Sequence, residues 1–465
     1  MSTTESRLAR TFELLRRHLE REREEPVATW SSPEALKQRI PLELPVDGVD
    51  DETLFERLDA IVAATPRTTT RRFYNQLFSG RDDFGSVGEI LAVFLNSSMY
   101  TFKAAGPQAL IERELITHMG RRIGYAQAEG TLVPGGSMAN LMAMLLARNK
   151  ARPESRNQGV DGPRLVFYAS TCCHYSVPKA AGILGIGRDQ LHRVGADVRG
   201  RMIPEKLRDA IQQDLAAGHQ PFLVMATAGT TVRGAFDPLE PIADLCDEFG
   251  LWLHVDGAMG GSAAMSEQWR SLLAGSERSH SFAWDAHKLL GMPLSCSVVL
   301  VRDGGTLLSS LGEEASYLFQ NDSEYDLGEM SLQCGRRNDA LKLWAAWQHH
   351  GDSGFGARID RLFALARYAS SIVESDPDMK LHCPVESITV CFEVKGHRSD
   401  LICEALRRRG EAVVGYSILG DRRVIRLAVV NGMLDEGDID QFFASLRAAR
   451  SDQTQGENKT DPVPC

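Results

Sequence analysis

An acid and a lysine, each set at the border of an apolar run, are the residues of this chain best placed to do chemistry. Asp256 closes LWLHVD ahead of GAMGG, and Lys288 follows 32 residues later, beside His287, in SFAWDAHKLLGMPL. An acid at the carboxyl end of a strand buried on both faces sits where α/β sheets bind ligands; it is equally able to cap the helix that follows. A lysine at such a place is either an ordinary strand-edge charge or a desolvated amine held for covalent chemistry.

A buried acid together with a desolvated lysine suits pyridoxal phosphate. The lysine forms a Schiff base with the cofactor aldehyde, and the acid pairs with the pyridinium nitrogen and keeps it protonated. The phosphate needs backbone donors, and TLVPGGSMANLMAMLLARN offers them. Gly135 and Gly136 let the backbone approach an anion, Ser137 adds a hydroxyl, and the helix that follows points its positive end at the site. GGS before a helix also reads as plain capping, and it gains specificity only beside Asp256 and Lys288. His174 ends the run RLVFYASTCCH, where its ring either stacks on a pyridine or is a satisfied core histidine. Thr230, Thr231 and Asp237, in MATAGTTVRGAFDP, either bond a cofactor or shape a turn.

The segments around these residues predict how they are positioned. From about residue 84 to 350, short apolar runs alternate with amphipathic ones. RLVFYAS, PFLVMATA, LWLHVDGA and CSVVLVR read as strands, and PLEPIADLCDEFG as a helix between two of them. This alternation predicts parallel βαβ units with helices on both faces of a sheet. Residues 1–83 read as a helical segment, through RTFELLRRHLEREREE and DETLFERLDAIVAA, and residues 351–450 as a small α+β domain. The polar tail, residues 451–465, reads as disordered.

Composition narrows the function classes. A net charge of -10 supplies no footprint for nucleic acid or an anionic membrane, which leaves small-molecule chemistry as the default. The nine cysteines form no CxxC unit, so neither structural zinc nor a disulfide framework is expected, and no metal site is assigned. The first twenty residues do not have the pattern of a secretory signal, and no apolar run is long enough to span a bilayer. A cytoplasmic location follows as the expectation.

From residue 65 to 445 the chain resembles the pyridoxal-phosphate-dependent group II amino-acid decarboxylases, which include the glutamate, cysteine sulfinate and aromatic amino-acid enzymes. The runs that carry the resemblance are RRFYNQLFSGRD, VPGGSMANLMA, HYSVPKAAGILGIG, ATAGTTVRGAFDP, LWLHVDGAMGG, WDAHKLLGMPLSCS, QCGRRNDALKLW and VVGYSILGDRRVIRLAVVN. FYNQLFSG and GAFDP are most similar to the glutamate and cysteine sulfinate branch. The resemblance implies an aspartate-aminotransferase-like fold (fold type I), with a mostly parallel seven-stranded sheet, helices on both faces and a small C-terminal α+β domain. It also implies a homodimer with shared active sites, the N-terminal segment packing on the partner subunit. Lys288 would anchor the cofactor, Asp256 would face its ring nitrogen, and His174 and Ala258 would cover the two ring faces. Gly136, Ser137, Thr231 and His287 would lie around the cofactor and its phosphate. Gln76, Thr101 and Arg426 would bind substrate, Arg426 through a carboxylate, although alone it reads as a strand-edge charge. Tyr325, counted back from QCGR, matches the loop tyrosine expected to return a proton to Cα; alone it reads as a loop-tip aromatic.

The chain departs from the family pattern at three places. Gly257 and Met259 stand where Ala and Trp are frequent, Asp285 where many members have Asn, and Tyr100, Thr101 and Lys103 where animal glutamate enzymes read Phe, Thr and Tyr. Asn75, Gln76 and Lys103 point to a small acidic substrate: aspartate, cysteine sulfinate or glutamate. 2,4-Diaminobutyrate or an aromatic amino acid stays open, as do transamination, aldehyde synthesis and a silent binding homologue.

Overall fold

The computed structural model describes residues 3–313 and 323–451; the tail expectation falls on residues outside these, apart from Ser451. Two compact units divide the chain. One comprises Arg81–Ser370 with Cys383–Val390, and the other comprises the chain up to Gly80 with Ser371–His382 and the described residues from Cys391 onward.

The first unit is built on a seven-stranded sheet. Its strands are β1 (Glu129–Val133), β2 (Leu165–Ser170), β3 (Leu191–Val194), β4 (Gln220–Thr227), β5 (Trp252–Asp256), β6 (Ser281–Asp285) and β7 (Ser297–Val301), in the order β1-β7-β6-β5-β4-β2-β3. β7 runs antiparallel to both neighbours, and the remaining pairs that adjoin one another are parallel. Every residue of β2, β5, β6 and β7 is buried, the signature of strands covered on both faces. The four strands anticipated from apolar runs are β2, β4, β5 and β7. SFAWD, which was not among the anticipated strands, is the buried strand β6; its indole N–H is satisfied by the Ser262 hydroxyl at 2.9 Å, which lets Trp284 sit in the core.

The topology gathers one edge. Val133 of β1 and Asp285 of β6 both register with Ser297, the first residue of β7, so the exit of β1, the exit of β6 and the entry of β7 coincide. Asp256 ends β5 on the same side. The helix Gly136–Ala151 starts from the exit of β1 and buries Ala139, Met142, Leu146 and Ala147 against the sheet, in one core with Phe167, Leu223 and Val299. Gly135, at φ 103, supplies the left-handed turn between that strand and helix.

The second unit holds a four-stranded sheet in the order β10-β11-β9-β8, from β8 (Met379–Leu381), β9 (Thr389–Val394), β10 (Gly415–Leu419) and β11 (Arg422–Ala428), with β10 antiparallel to β11 and β8 antiparallel to β9. Helices Ser399–Arg408 and Glu436–Ser451 pack with it. The N-terminal segment contributes helices Thr3–Glu24 and Asp51–Ala64, and joins this unit through backbone bonds: Tyr74 N donates to Val413 O at 2.7 Å, and Ala428 N donates to Tyr74 O at 3.0 Å.

Candidate active site

A cavity of about 250 Å³ opens at the gathered edge, and its lining includes Gly136, Ser137, His174, Thr231, Asp256, Ala258, His287 and Lys288. Eight residues singled out from distant points of the sequence therefore share one wall.

Asp256 is fixed from two sides. Asn140 Nδ2 donates to its Oδ2 at 2.8 Å, and the Ala258 amide donates to Oδ1 at 3.2 Å. Asn140 is the hub of a longer relay. Its amide also donates to Ser176 Oγ at 3.0 Å, and Ser176 Oγ lies 2.8 Å from His174 Nδ1. On its other side, Asn140 Oδ1 receives His254 Nε2 at 3.0 Å. A carbonyl oxygen can only accept, so His254 carries its proton on Nε2 and its Nδ1 accepts from Ser281 Oγ at 2.9 Å. Ser281 in turn accepts the Trp252 indole N–H at 2.9 Å. Burial lowers His254 to about 4 against the pull of Asp256, and burial also lowers His174, again opposed by Asp256. Both rings are neutral at neutral pH, which suits a relay with one fixed sense and a flat ring free to stack.

His287 is held by the backbone, its Nδ1 lying 3.0 Å from Cys296 O and 3.1 Å from Cys296 N; burial lowers its pKa too. Its neighbour Lys288 projects an amine whose Nζ lies 3.0 Å from Asp285 Oδ2. Gly136 begins its helix so close to the opposite wall that a Cβ there would come within 3.0 Å of Asp285 and Ala258. The site fits pyridoxal phosphate by these features: an amine, a fixed carboxylate, a neutral imidazole and a helix N-terminus without side-chain obstruction, all on one cavity.

Other expectations separate here. Thr230 Oγ1 accepts from Ala235 N, and Asp237 accepts from Met202 N and Thr227 N, so these two shape the turn while Thr231 lines the cavity. Thr101 starts the short helix Phe102–Ala105, outside the cavity lining. Tyr325 is also outside it, its ring 5.5 Å from Phe102 and beneath the Arg113 guanidinium at 4.7 Å. Phe102 N donates to Asp326 Oδ1 at 2.7 Å and Gly328 N to Tyr100 O at 2.8 Å, so the segments bearing Thr101 and Tyr325 form one module. In the second unit, Arg426 on β11 donates to Asn75 O at 2.8 Å, and Gln76 is exposed. A Cβ on Gly415 would come within 2.2 Å of Asn75 Oδ1, so glycine there makes room for Asn75.

The Gly257 departure has a packing cause: a Cβ there would stand 2.3 Å from the Phe282 ring, which fills the space a methyl would occupy. Asn140, Ser176 and His254 were missed from the sequence. A single amide in the apolar run MANLMAMLLA, and a histidine in a strand otherwise buried on both faces, were the available signals.

With this geometry in place, comparison with known proteins is specific. The pyridoxal-dependent decarboxylase conserved domain matches residues 33–395, and the chain belongs to that family. Cysteine sulfinic acid decarboxylase of Mus musculus is 40% identical over 452 residues, covering 92% of each chain. Acidic amino acid decarboxylase GADL1 of Bos taurus is 42% identical over 374 residues, 79% of this chain and 72% of its own. The crystal structure of mouse CSAD superposes with a TM-score of 0.93 at 37% identity, over 96% of this chain and 98% of that one. The protein is thus a fold type I, pyridoxal-phosphate-dependent amino-acid decarboxylase.

Proposed function

We propose that the chain removes the α-carboxylate of a small acidic L-amino acid, cysteine sulfinate, aspartate or glutamate, to give hypotaurine, β-alanine or γ-aminobutyrate. The names of the relatives at 40% and 42% identity support this substrate class, together with Asn75, Gln76 and Lys103. The observation that carries the chemistry is the meeting of Lys288, Asp256 and His174 on one cavity.

When bound, pyridoxal phosphate supplies the electron sink for the pair released as carbon dioxide leaves. Lys288 would hold the cofactor through its amine. Asp256, kept from rotating by Asn140 and the Ala258 amide, presents its carboxylate to the ring nitrogen and stabilises positive charge there. His174 covers one ring face and Ala258 the other. Gly136, Ser137 and His287 would take the phosphate end, the first two with backbone amides at the start of a helix, and Thr231 would bond the cofactor from the cavity wall. Arg426 binds a substrate carboxylate, and Gln76 and Thr101 complete the substrate contacts. Tyr325 returns a proton to Cα.

The reading includes a cytoplasmic homodimer with shared active sites, the N-terminal segment packing on the partner. Helix Asp83–Leu95 supports the dimer, since Phe84, Val87, Leu91 and Phe94 leave an apolar face in water on a single chain. The position of Tyr325 outside its own chain's cavity supports the sharing. Borohydride reduction followed by peptide mass analysis tests the anchor: the label is expected on Lys288, and a label on another lysine would overturn the assignment.

A further inference from the structure

Two carboxylates close the cavity edge, and they differ in what they hold. Asp256, at the end of β5, has both oxygens engaged by protein donors. Asp285, at the end of β6 and 2% exposed, has Oδ2 at 3.0 Å from Lys288 Nζ and at 3.7 Å from His287 Nε2. Its Oδ1 is buried and accepts no hydrogen bond among the described residues. Lys288 is the basic group in direct contact with this carboxylate, 3.0 Å away against 3.7 Å for His287. Burial lowers the pKa of His174, and Lys342 acts on this corner through His287. Lys342 is tied to Glu89 and Asp339 at 2.9 Å each.

We propose that Asp285 is a positioning residue for Lys288: it grips the amine as an ammonium while the lysine is not covalently engaged, and takes up its proton when the amine bonds to an aldehyde. The proposal rests on the reading of Lys288 as the covalent anchor. The proton balance is simple. Lys288 gives one ammonium proton to Asp285 Oδ2, and the freed nitrogen lone pair bonds to the aldehyde carbon. The two hydrogens left on nitrogen depart with the aldehyde oxygen as water, and nothing is oxidised or reduced. Without that proton, Asp285 would become an unpaired buried charge as soon as Lys288 turned neutral, a costly state that a carboxylic acid avoids. The carboxylate therefore stabilises the uncommitted lysine and slows its capture of aldehyde.

The test compares cofactor-free wild type with Asp285→Asn, which keeps the shape and removes the charge, and with Asp285→Ala in parallel. Each is mixed with pyridoxal phosphate and, separately, with pyridoxal, which lacks the phosphate, and capture is followed by visible absorbance. Both aldehydes are expected to be captured faster by the neutral variants in the same proportion, by about tenfold, the effect of one opposite charge in direct contact. Acceleration confined to the phosphorylated aldehyde would place the effect of Asp285 on the phosphate and overturn the proposal, as would unchanged or slower capture. Borohydride labelling separates the two levels: label on Lys288 with unchanged rates overturns this proposal alone, and label elsewhere overturns the anchor reading with it. In the wild type itself, a ¹⁵N signal of an ammonium at Lys288 is expected at neutral pH before aldehyde is added, and a neutral-amine signal would contradict the grip.

Discussion

Asn140→Ala removes the side chain on which the Asp256 relay turns. The asparagine makes one hydrogen bond to the Asp256 carboxylate at 2.8 Å and receives one from His254 at 3.0 Å, with Asn140 1% exposed and His254 fully buried. A hydrogen bond to a charged group contributes about 1.5–3 kcal/mol, and a buried donor left without an acceptor costs about 1–3 kcal/mol. Asp256 borders the cavity, where water can replace the lost amide, so the orphaned His254 Nε2–H dominates. The expected loss is about 3 kcal/mol in the cofactor-free protein. Urea unfolding measures it, read by tryptophan fluorescence, since Trp252 belongs to the relay, and by far-UV circular dichroism; the two transitions must coincide for a single figure to be drawn. Asn140→Asp keeps an acceptor for His254 but sets a second carboxylate against Asp256, and should become less stable as pH rises. A loss below about 0.5 kcal/mol for the alanine variant would refute the relay as a structural unit, because that is the level of an ordinary surface change.

Gly257→Ala drives a methyl into Phe282 and should cost about 1–3 kcal/mol, measured as a lower denaturation midpoint; Phe282→Leu in the same chain should recover part of it. His254 should show the neutral Nε2–H tautomer by ¹⁵N NMR at neutral pH and titrate at about 4. Its folded pKa is below the unfolded value, so the unfolded chain binds the extra proton between about 4 and 6.5. The contribution of His254 is complete above that window and falls by about 3 kcal/mol as pH drops through it. A ring that titrates near its ordinary value would contradict the burial. Tyr325→Phe should leave cofactor absorbance intact while lowering the yield of amine per carbon dioxide released; an unchanged yield would remove the proton role.

The strands were legible where burial on both faces wrote a continuous apolar run, as in β2, β4, β5 and β7. β6 was not, because SFAWD mixes a serine and an acid with its aromatics, and only its central place in the sheet explains five buried residues in a row. The site was legible as far as its chemistry sits in local patterns: an acid after a strand, a glycine pair before a helix, a lysine after a histidine. The relay through Asn140, Ser176 and His254 was not, because its members become neighbours only when the helix Gly136–Ala151 crosses β5. Asp285 stood out in sequence only as an acid where many members of the family have Asn, and its contact with Lys288 came from the way the chain turns after β6.

Carbon dioxide release by the cofactor-loaded protein, measured against cysteine sulfinate, aspartate, glutamate, 2,4-diaminobutyrate and tryptophan with products identified by mass, tests the central claim most directly. Release from an acidic substrate with its matching amine is the predicted result. Release only from the diamino or aromatic substrate, or none from any, would contradict it.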